Sequence, residues 1–342
     1  MKKIKFPSEL RFDLVSKDWV IIATGRAKRP ESFKKEKRKR VKESSKTCPF
    51  CKIKTQKEPT LISTNSKITS GAWDKLGKDW TLVVIPNKYP ALMPYPELNK
   101  TTEGGIYQKM NAAGFHEVVV TRDHNKHLGQ FQIEQVKEVL DSYQARYISL
   151  MDKKFVNHIS IFHNHGPGAG ASIAHPHSQI ITTPLIDNDL NSALTNAQSY
   201  YKKNKKCIYC KMSSWEKVAK KRIVFENKSF LAVCPFASKT AFQVIISPKK
   251  HLPYFEKITE EEKRQLAEAF QSVLRKIYKG LNNPDYNFYL HTAPSDGKKH
   301  DYYHWHWTIL PKTAIPAGFE IGTGMEISTI EPEKAAEYLR KQ

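Results

Sequence analysis

Between His163 and Ile181 the chain gathers residues able to bind an anion and attack it. Gly166, Gly168, Gly170 and Ala171 precede Ser172, and His175, His177 and Gln179 follow at alternate positions. The tail from Ser178 to Thr183 carries β-branched residues and reads as a strand. Alternate residues of a strand point to one face, so His175, His177 and Gln179 are expected to share it. The small residues before them let the backbone come close to a ligand and offer N–H groups to an anion. A histidine facing such a pocket can serve as nucleophile or general base.

Elements that could position this segment occur twice. Cys48-Pro49-Phe50-Cys51 returns as Cys207-Ile208-Tyr209-Cys210, and His175-Pro176-His177 returns as His304-Trp305-His306. Between them each half carries a histidine in a basic setting that fits the repeat, His124 and His251. Helical spacing of Val136, Val139, Leu140, Tyr143, Tyr147 and Leu150 predicts a helix over 132–153. Leu266, Ala269, Phe270, Val273, Leu274 and Ile277 predict another over 260–281, with Thr259 and Glu262 as a capping box. Apolar strands at 158–162 and 286–290 follow these helices, and strands at 117–120 and 242–246 precede them. The expected fold class is α+β: two similar halves, each an antiparallel sheet with helices on one side. The halves are placed at 1–186 and 207–342, joined by a polar linker over 187–206; the stretch 55–80 reads as polar and irregular.

Two cysteines and two histidines per half suit a closed tetrahedral zinc site. The expected sets are Cys48, Cys51, His124 and His175, and Cys207, Cys210, His251 and His304. Each half thus spends one histidine of its His-x-His pair on metal and leaves the other available. The residues after Met1 form no secretory leader, and no segment is long enough to span a membrane, so a reducing cytoplasmic setting is expected, against disulfides. Cys234, within an apolar strand, reads as a buried apolar residue.

The chain has 342 residues, enough for two full cores, and its 39% hydrophobic content marks a globular protein. Its formal charge of +22 and the basic run from Lys34 to Arg40 raise a nucleic-acid-binding zinc knuckle as the rival from another class. That rival leaves the glycine-rich His-Pro-His-Ser-Gln segment without a role. Because the lysines are spread along the chain, the run is read as a solvated loop, and a basic surface also suits anionic substrates.

Taken with the duplication, these motifs resemble the galactose-1-phosphate uridylyltransferase family, the duplicated branch of the histidine-triad superfamily. The resemblance runs from about Phe12 to Ile327. It is carried by the stretches Trp19 to Pro30, Pro86 to Leu92, Gly170 to Gln179 and Ala317 to Gly324. It implies that His177 is the nucleophile, taking a uridylyl group from UDP-glucose and passing it to galactose 1-phosphate. It further implies that Gln179, Ser172, Gly170 and Ala171 meet the phosphoryl oxygens and that Asn164 and Asn87 lie beside the nucleotide. Arg26 and Arg29 are placed near the phosphates, and Gly322 and Gly324 near the hexose. Two structural Zn²⁺ ions are expected as cofactors. The expected partners are a sugar nucleotide and a hexose 1-phosphate, with a homodimer left open. Two Cys/His sites are also similar to those of ADP-glucose phosphorylase, so phosphorolysis of a nucleoside-diphosphate sugar is the alternative. In the second half Asp296 to Asp301 replaces the small residues and Thr308 stands in place of Gln179, so only the first half is expected to be catalytic.

Overall fold

The structure, a computed structural model, describes residues 8–26, 33 and 44–342. Its strands are β1 (Ser8–Phe12), β2 (Trp19–Ala23), β3 (Leu61–Thr64), β4 (Lys67–Ser70), β5 (Leu82–Pro86), β6 (Thr101–Glu103), β7 (Tyr107–Lys109), β8 (His116–Thr121), β9 (His158–His165), β10 (His177–Thr183), β11 (Ile223–Glu226), β12 (Phe230–Val233), β13 (Val244–Pro248), β14 (Tyr286–His291), β15 (His306–Pro311) and β16 (Ile327–Ser328). Its α-helices are α1 (Ile133–Met151), α2 (Asn188–Asn204), α3 (Ile208–Ala219), α4 (Glu260–Gly280), α5 (Gly318–Thr323) and α6 (Pro332–Arg340).

The fold is α+β, and the two halves share one sheet of eleven strands. Its order is β11-β12-β13-β15-β14-β9-β10-β8-β5-β3-β4, with every pairing antiparallel. The order reads as a mirror about the β9–β14 seam, where Asn164 pairs with Asn287 and Phe162 with Tyr289. A smaller sheet has the order β1-β2-β16.

Alternation along the strands sorts side chains between two layers. Ile161, Ile180, Phe288 and Trp307 face α1 and α4 and join Val139, Leu140, Phe270 and Val273 in one core spanning both halves. The helices run antiparallel: Arg264 meets Glu134 at 2.9 Å, and buried Lys263 meets Asp141 at 2.7 Å. On the opposite sheet face Ile62, Val83, Ile85, Val118 and Val120 form a smaller cluster with Cys48, Phe50 and Ile53. The two layers are why a single strand can bury one set of residues under helices and turn the next set toward a site.

The start of α4 follows its expected cap. Thr259 Oγ1 accepts from Glu262 N at 3.2 Å, and Glu262 Oε2 accepts from Thr259 N at 2.9 Å. Thr259→Ala is expected to lower stability by about 1 kcal/mol, read as a fall in denaturant midpoint with an unchanged slope. An unmoved midpoint would show that Gln144, donating to Ile258 O at 2.8 Å, already holds this helix start.

Three expectations need adjustment. The stretch 55–80 is not wholly irregular: β3 and β4 form a hairpin there, because Leu61 and Ile62 pair with β5 and bury on both faces. The joining segment 187–206 is mostly helical, since Leu190, Leu194 and Ala197 make a buried stripe and Asp187 caps it, accepting from Leu190 N at 2.9 Å. The strand expected at 242–246 begins two residues later, at Val244. Among the described residues no helix is long and apolar enough to cross a membrane.

Candidate functional site

The strand β10 begins at His177, whose ring is nearly buried. Its Nδ1 lies 2.8 Å from His175 O, and a carbonyl can only accept. The ring is therefore protonated on Nδ1 and carries its lone pair on Nε2. Burial holds the His177 pKa below the ordinary histidine value, opposed by the bond to His175 O, so the neutral, nucleophilic form is favoured. Phe50, from between the two cysteines, packs its ring 5.0 Å from that of His177. Beneath it on the helix face, Ser178 Oγ sits 2.5 Å from Tyr143 OH and 3.1 Å from His163 Nδ1, anchoring the strand to α1.

Gln179 lies on the face of His177, and a residue the sequence did not single out sets its orientation. Ala91 N donates to His116 Nδ1 at 3.1 Å, so the neutral His116 ring carries its proton on Nε2. That nitrogen lies 2.8 Å from Gln179 Oε1. Burial holds the His116 pKa down, which maintains this neutral form. The Gln179 amide NH₂ is left for a ligand. Asn87, whose Oδ1 accepts from Tyr89 N at 2.9 Å, also brings its Nδ2 within 3.0 Å of the same His116 nitrogen; with that nitrogen protonated both groups are donors, so this is a close approach and not a hydrogen bond. His116, Asn87 and Gln179 thus form one cluster. Only the strand pairing could reveal His116, because nothing in its local sequence tells which sheet face it joins.

The glycine-rich segment follows β9 as a tight turn over Pro167–Ala169. Gly170 has φ +85°, a left-handed conformation that favours glycine. Ala171 N closes the turn onto Gly166 O at 3.2 Å, and Ser172 is exposed just beyond it. Asn164, at the end of β9, faces Gly170 with its Nδ2. Gly322 lies in the exposed α5, and Gly324 ends that helix with φ +70°, its N–H donating to Glu320 O at 2.8 Å. Arg29 and the basic run over 34–40 lie outside the described residues; Arg26 closes a short turn after β2, and only its backbone is described.

Both Cys/His sets converge. Cys48, Cys51, His124 and His175 bring their donor atoms within 4.8 Å of one another, as do Cys207, Cys210, His251 and His304. In the first set His124 Nδ1 is 3.1 Å from Cys51 Sγ and 3.3 Å from His175 Nδ1, which lies 3.6 Å from both sulfurs. A tetrahedron with ordinary zinc–sulfur and zinc–nitrogen bonds has edges of about 3.3–3.6 Å between these atoms. His175 Nε2 lies 2.7 Å from Thr121 O, His304 Nε2 2.9 Å from Pro248 O and His251 Nε2 2.7 Å from Asp301 O. Each ring thus turns Nδ1 to the cluster and ties its other nitrogen to a carbonyl, the arrangement that orients metal-binding histidines. The hydrogen bond between Cys210 and Cys207 lowers the Cys207 thiol and raises that of Cys210, with His251 and His304 also bonding Cys207, so the pair holds one thiolate more readily than two.

The second half repeats the frame without the function-bearing groups. His306 Nδ1 lies 3.1 Å from His304 O, and Tyr209 packs 5.4 Å from its ring as Phe50 does in the first half. Ser178 pairs with His163, and Trp307 pairs with Leu290; one residue on, His291 occupies the place of Asn164. Its ring stacks 4.6 Å from that of His306. Burial pushes His306 down to about 4. Thr308 stands where Gln179 does, and a hydroxyl replaces the amide there.

A sheet shared by two similar halves, with a histidine bounded by a glycine turn and amide groups in the first, defines a duplicated α+β protein. Sequence models for the N-terminal and C-terminal domains of galactose-1-phosphate uridyl transferase match residues 1–187 and 193–341. The chain belongs to the galactose-1-phosphate uridyl transferase family. It is 32% identical to ADP-glucose phosphorylase of Arabidopsis thaliana over 338 residues, covering 97% of this chain and 92% of that one. It is 28% identical to galactose-1-phosphate uridylyltransferase of Thermotoga maritima over 343 residues, covering 97% and 98%. The crystal structure of the Arabidopsis ADP-glucose phosphorylase with bound ADP-glucose superposes with a TM-score of 0.81 at 29% identity, covering 98% of this chain and 99% of that one. A uridylyltransferase structure superposes with a TM-score of 0.73 at 25% identity, covering 97% of each chain.

Proposed function

We propose that the protein exchanges a uridylyl group between UDP-glucose and galactose 1-phosphate through a covalent uridylyl-histidine at His177. The observation that carries this reading is the His177 ring, fixed by His175 O with Nε2 free on the face that holds Gln179 and borders the glycine turn. In the first half-reaction Nε2 forms a bond to the α-phosphorus as the bond to the glucose 1-phosphate oxygen breaks. That leaving group departs as a stable anion and needs no proton. In the second half-reaction a phosphate oxygen of galactose 1-phosphate attacks the same phosphorus and frees the histidine. The Gln179 amide and the Ser172 hydroxyl donate to the phosphoryl oxygens as charge grows there, while the N–H groups of Gly168, Ala169, Gly170 and Ala171 are spent on Asp285 and on the turn itself. Arg26 and Arg29 are assigned to the phosphates, Asn87 and Asn164 to the nucleotide, and Gly322 and Gly324 to the hexose.

The two Cys/His clusters are assigned one structural Zn²⁺ each. Their donor sets and carbonyl-tied histidines support this, and zinc bound there would hold the chain before β10 in place. Thiols kept as metal ligands fit a reducing compartment such as the cytoplasm. A second reading, phosphorolysis of ADP-glucose, is favoured by the higher identity and TM-score of the Arabidopsis relative. A panel of UDP- and ADP-glucose against galactose 1-phosphate and inorganic phosphate decides between them. Transfer with ADP-glucose and phosphate alone would replace uridylyl exchange by phosphorolysis.

Gln179→Ala is expected to lower kcat by about 10²–10³ with a much smaller change in KM for the sugar nucleotide, as loss of a transition-state donor does. A raised KM with kcat intact would mean that Gln179 only binds the ground state.

A further inference from the structure

The turn that borders His177 belongs to the N-terminal half, yet side chains of the C-terminal half hold it. Asp285 Oδ2 accepts from Gly168 N at 2.7 Å. A Cβ on Gly168 would fall 2.7 Å from that oxygen, so any other residue here would push the Asp285 carboxylate away. Two residues along β14, Asn287 Nδ2 donates to Ala169 O and to Asn164 Oδ1, each at 2.8 Å.

These contacts form an orientation relay. A backbone carbonyl can only accept, so Ala169 O dictates that Asn287 presents its NH₂ to the turn. That NH₂ also meets Asn164, which must therefore answer with its oxygen. The Asn164 NH₂ is thereby turned away from β14 and toward Gly170, where its Nδ2 stands 3.9 Å from the place a Cβ would occupy. The pairing of β9 with β14 sets Asn287 directly opposite Asn164, at the seam where the two halves join. The second half has no counterpart of this arrangement, because His291 stands in the place of Asn164.

We propose that Asn287 is a positioning residue, supplied by the C-terminal half, that aims the Asn164 amide at the phosphoryl oxygens of a nucleoside-diphosphate sugar and anchors the glycine turn beside it. The proposal rests on the reading of His177 as nucleophile. It makes the noncatalytic half a working part of the site: without it the turn and the amide lose their common anchor. Asn287 itself touches no substrate and acts through Asn164 and Ala169.

The test is a double-mutant cycle on the full chain, read by the single-turnover rate of covalent labelling from UDP-glucose carrying a labelled α-phosphate. Asn287→Ala is expected to slow labelling about 10–100-fold, the range for a misplaced donor in a preorganised site. Asn287→Asp, which keeps the shape but has no N–H, is expected to do so at least as strongly. In an Asn164→Ala background Asn287→Ala is expected to cost several-fold less than in the wild type, the remainder being the loss of the Ala169 anchor, whereas a merely structural contact would cost the same in both backgrounds. Equal losses in the two backgrounds, or undiminished labelling in Asn287→Ala, overturn the proposal. If the wild-type protein binds UDP-glucose but forms no covalent label, the proposed reaction fails, and calorimetric affinities for UDP-glucose in the same four proteins decide the role of Asn287. Non-additive weakening there supports the relay, and additive or absent weakening overturns it. A wild-type protein that neither labels nor binds UDP-glucose or ADP-glucose overturns both readings.

Discussion

His177→Gly is expected to fold, to keep the first Cys/His cluster and to lose nucleotidyl transfer by at least roughly 10⁴-fold, the scale on which removal of a covalent nucleophile acts. The first metal cluster uses His175, not His177, and the strand continues to pair with β8 and β9 through residues 178–183. What disappears is the Nε2 lone pair and the Nδ1 bond to His175 O. Added imidazole is expected to restore part of the reaction with UDP-glucose, because it can enter the space beside Phe50 and the turn. In the wild type the covalent label must be stable to base and labile to acid, and double-reciprocal plots must run parallel. Labelling retained in His177→Gly would place the nucleophile elsewhere. Intersecting lines would mean direct transfer between two bound substrates, and the covalent mechanism would be abandoned.

The second large effect concerns stability. Cys48 is fully buried and shares a small apolar cluster with Phe50, Ile53, Ile62, Val83, Ile85, Val118 and Val120. A metal at Cys48, Cys51, His124 and His175 would tie this cluster to His175, two residues before His177. If zinc occupies this cluster, Cys48→Ala, or removal of the metal by a chelator, is expected to cost several kcal/mol, because metal binding and local folding would then be one equilibrium. At roughly 2–4 °C per kcal/mol for a domain of this size, Tm falls by about 10 °C. Metal analysis should show two zinc ions per wild-type chain and one in the variant. Cys207→Ala is expected to lower Tm too, while transfer per folded molecule stays near wild type, since the second cluster adjoins His306 rather than His177. A Cys48→Ala protein with unchanged Tm would mean that the first cluster does not hold the fold together. A folded wild type without zinc would remove the metal assignment altogether.

What the amino-acid sequence determines by itself is what short-range physics encodes. The 3.6-residue spacing of Val136, Val139, Leu140 and Tyr143 specifies α1, and Thr259 with Glu262 specifies where α4 starts. The alternation of His177 and Gln179 gives them a common sheet face, and the repeated Cys-x-x-Cys and His-x-His motifs announce a duplication and two ligand sets. These signals lie within a few residues of one another or in a pattern repeated along the chain. Pairing decides the rest. The merging of two sheets through β9 and β14 depends on backbone edges more than 120 positions apart, and nothing in either strand announces its partner. The role of His116 requires Ala91 N to occupy one ring nitrogen and Gln179 the other. Asn287 looks like any polar residue on an apolar strand until register sets it against Asn164 and the turn brings Ala169 O to it. Side-chain orientation in a site is fixed by which atom of a distant group can only donate or only accept, and tertiary structure alone brings such groups within 3 Å.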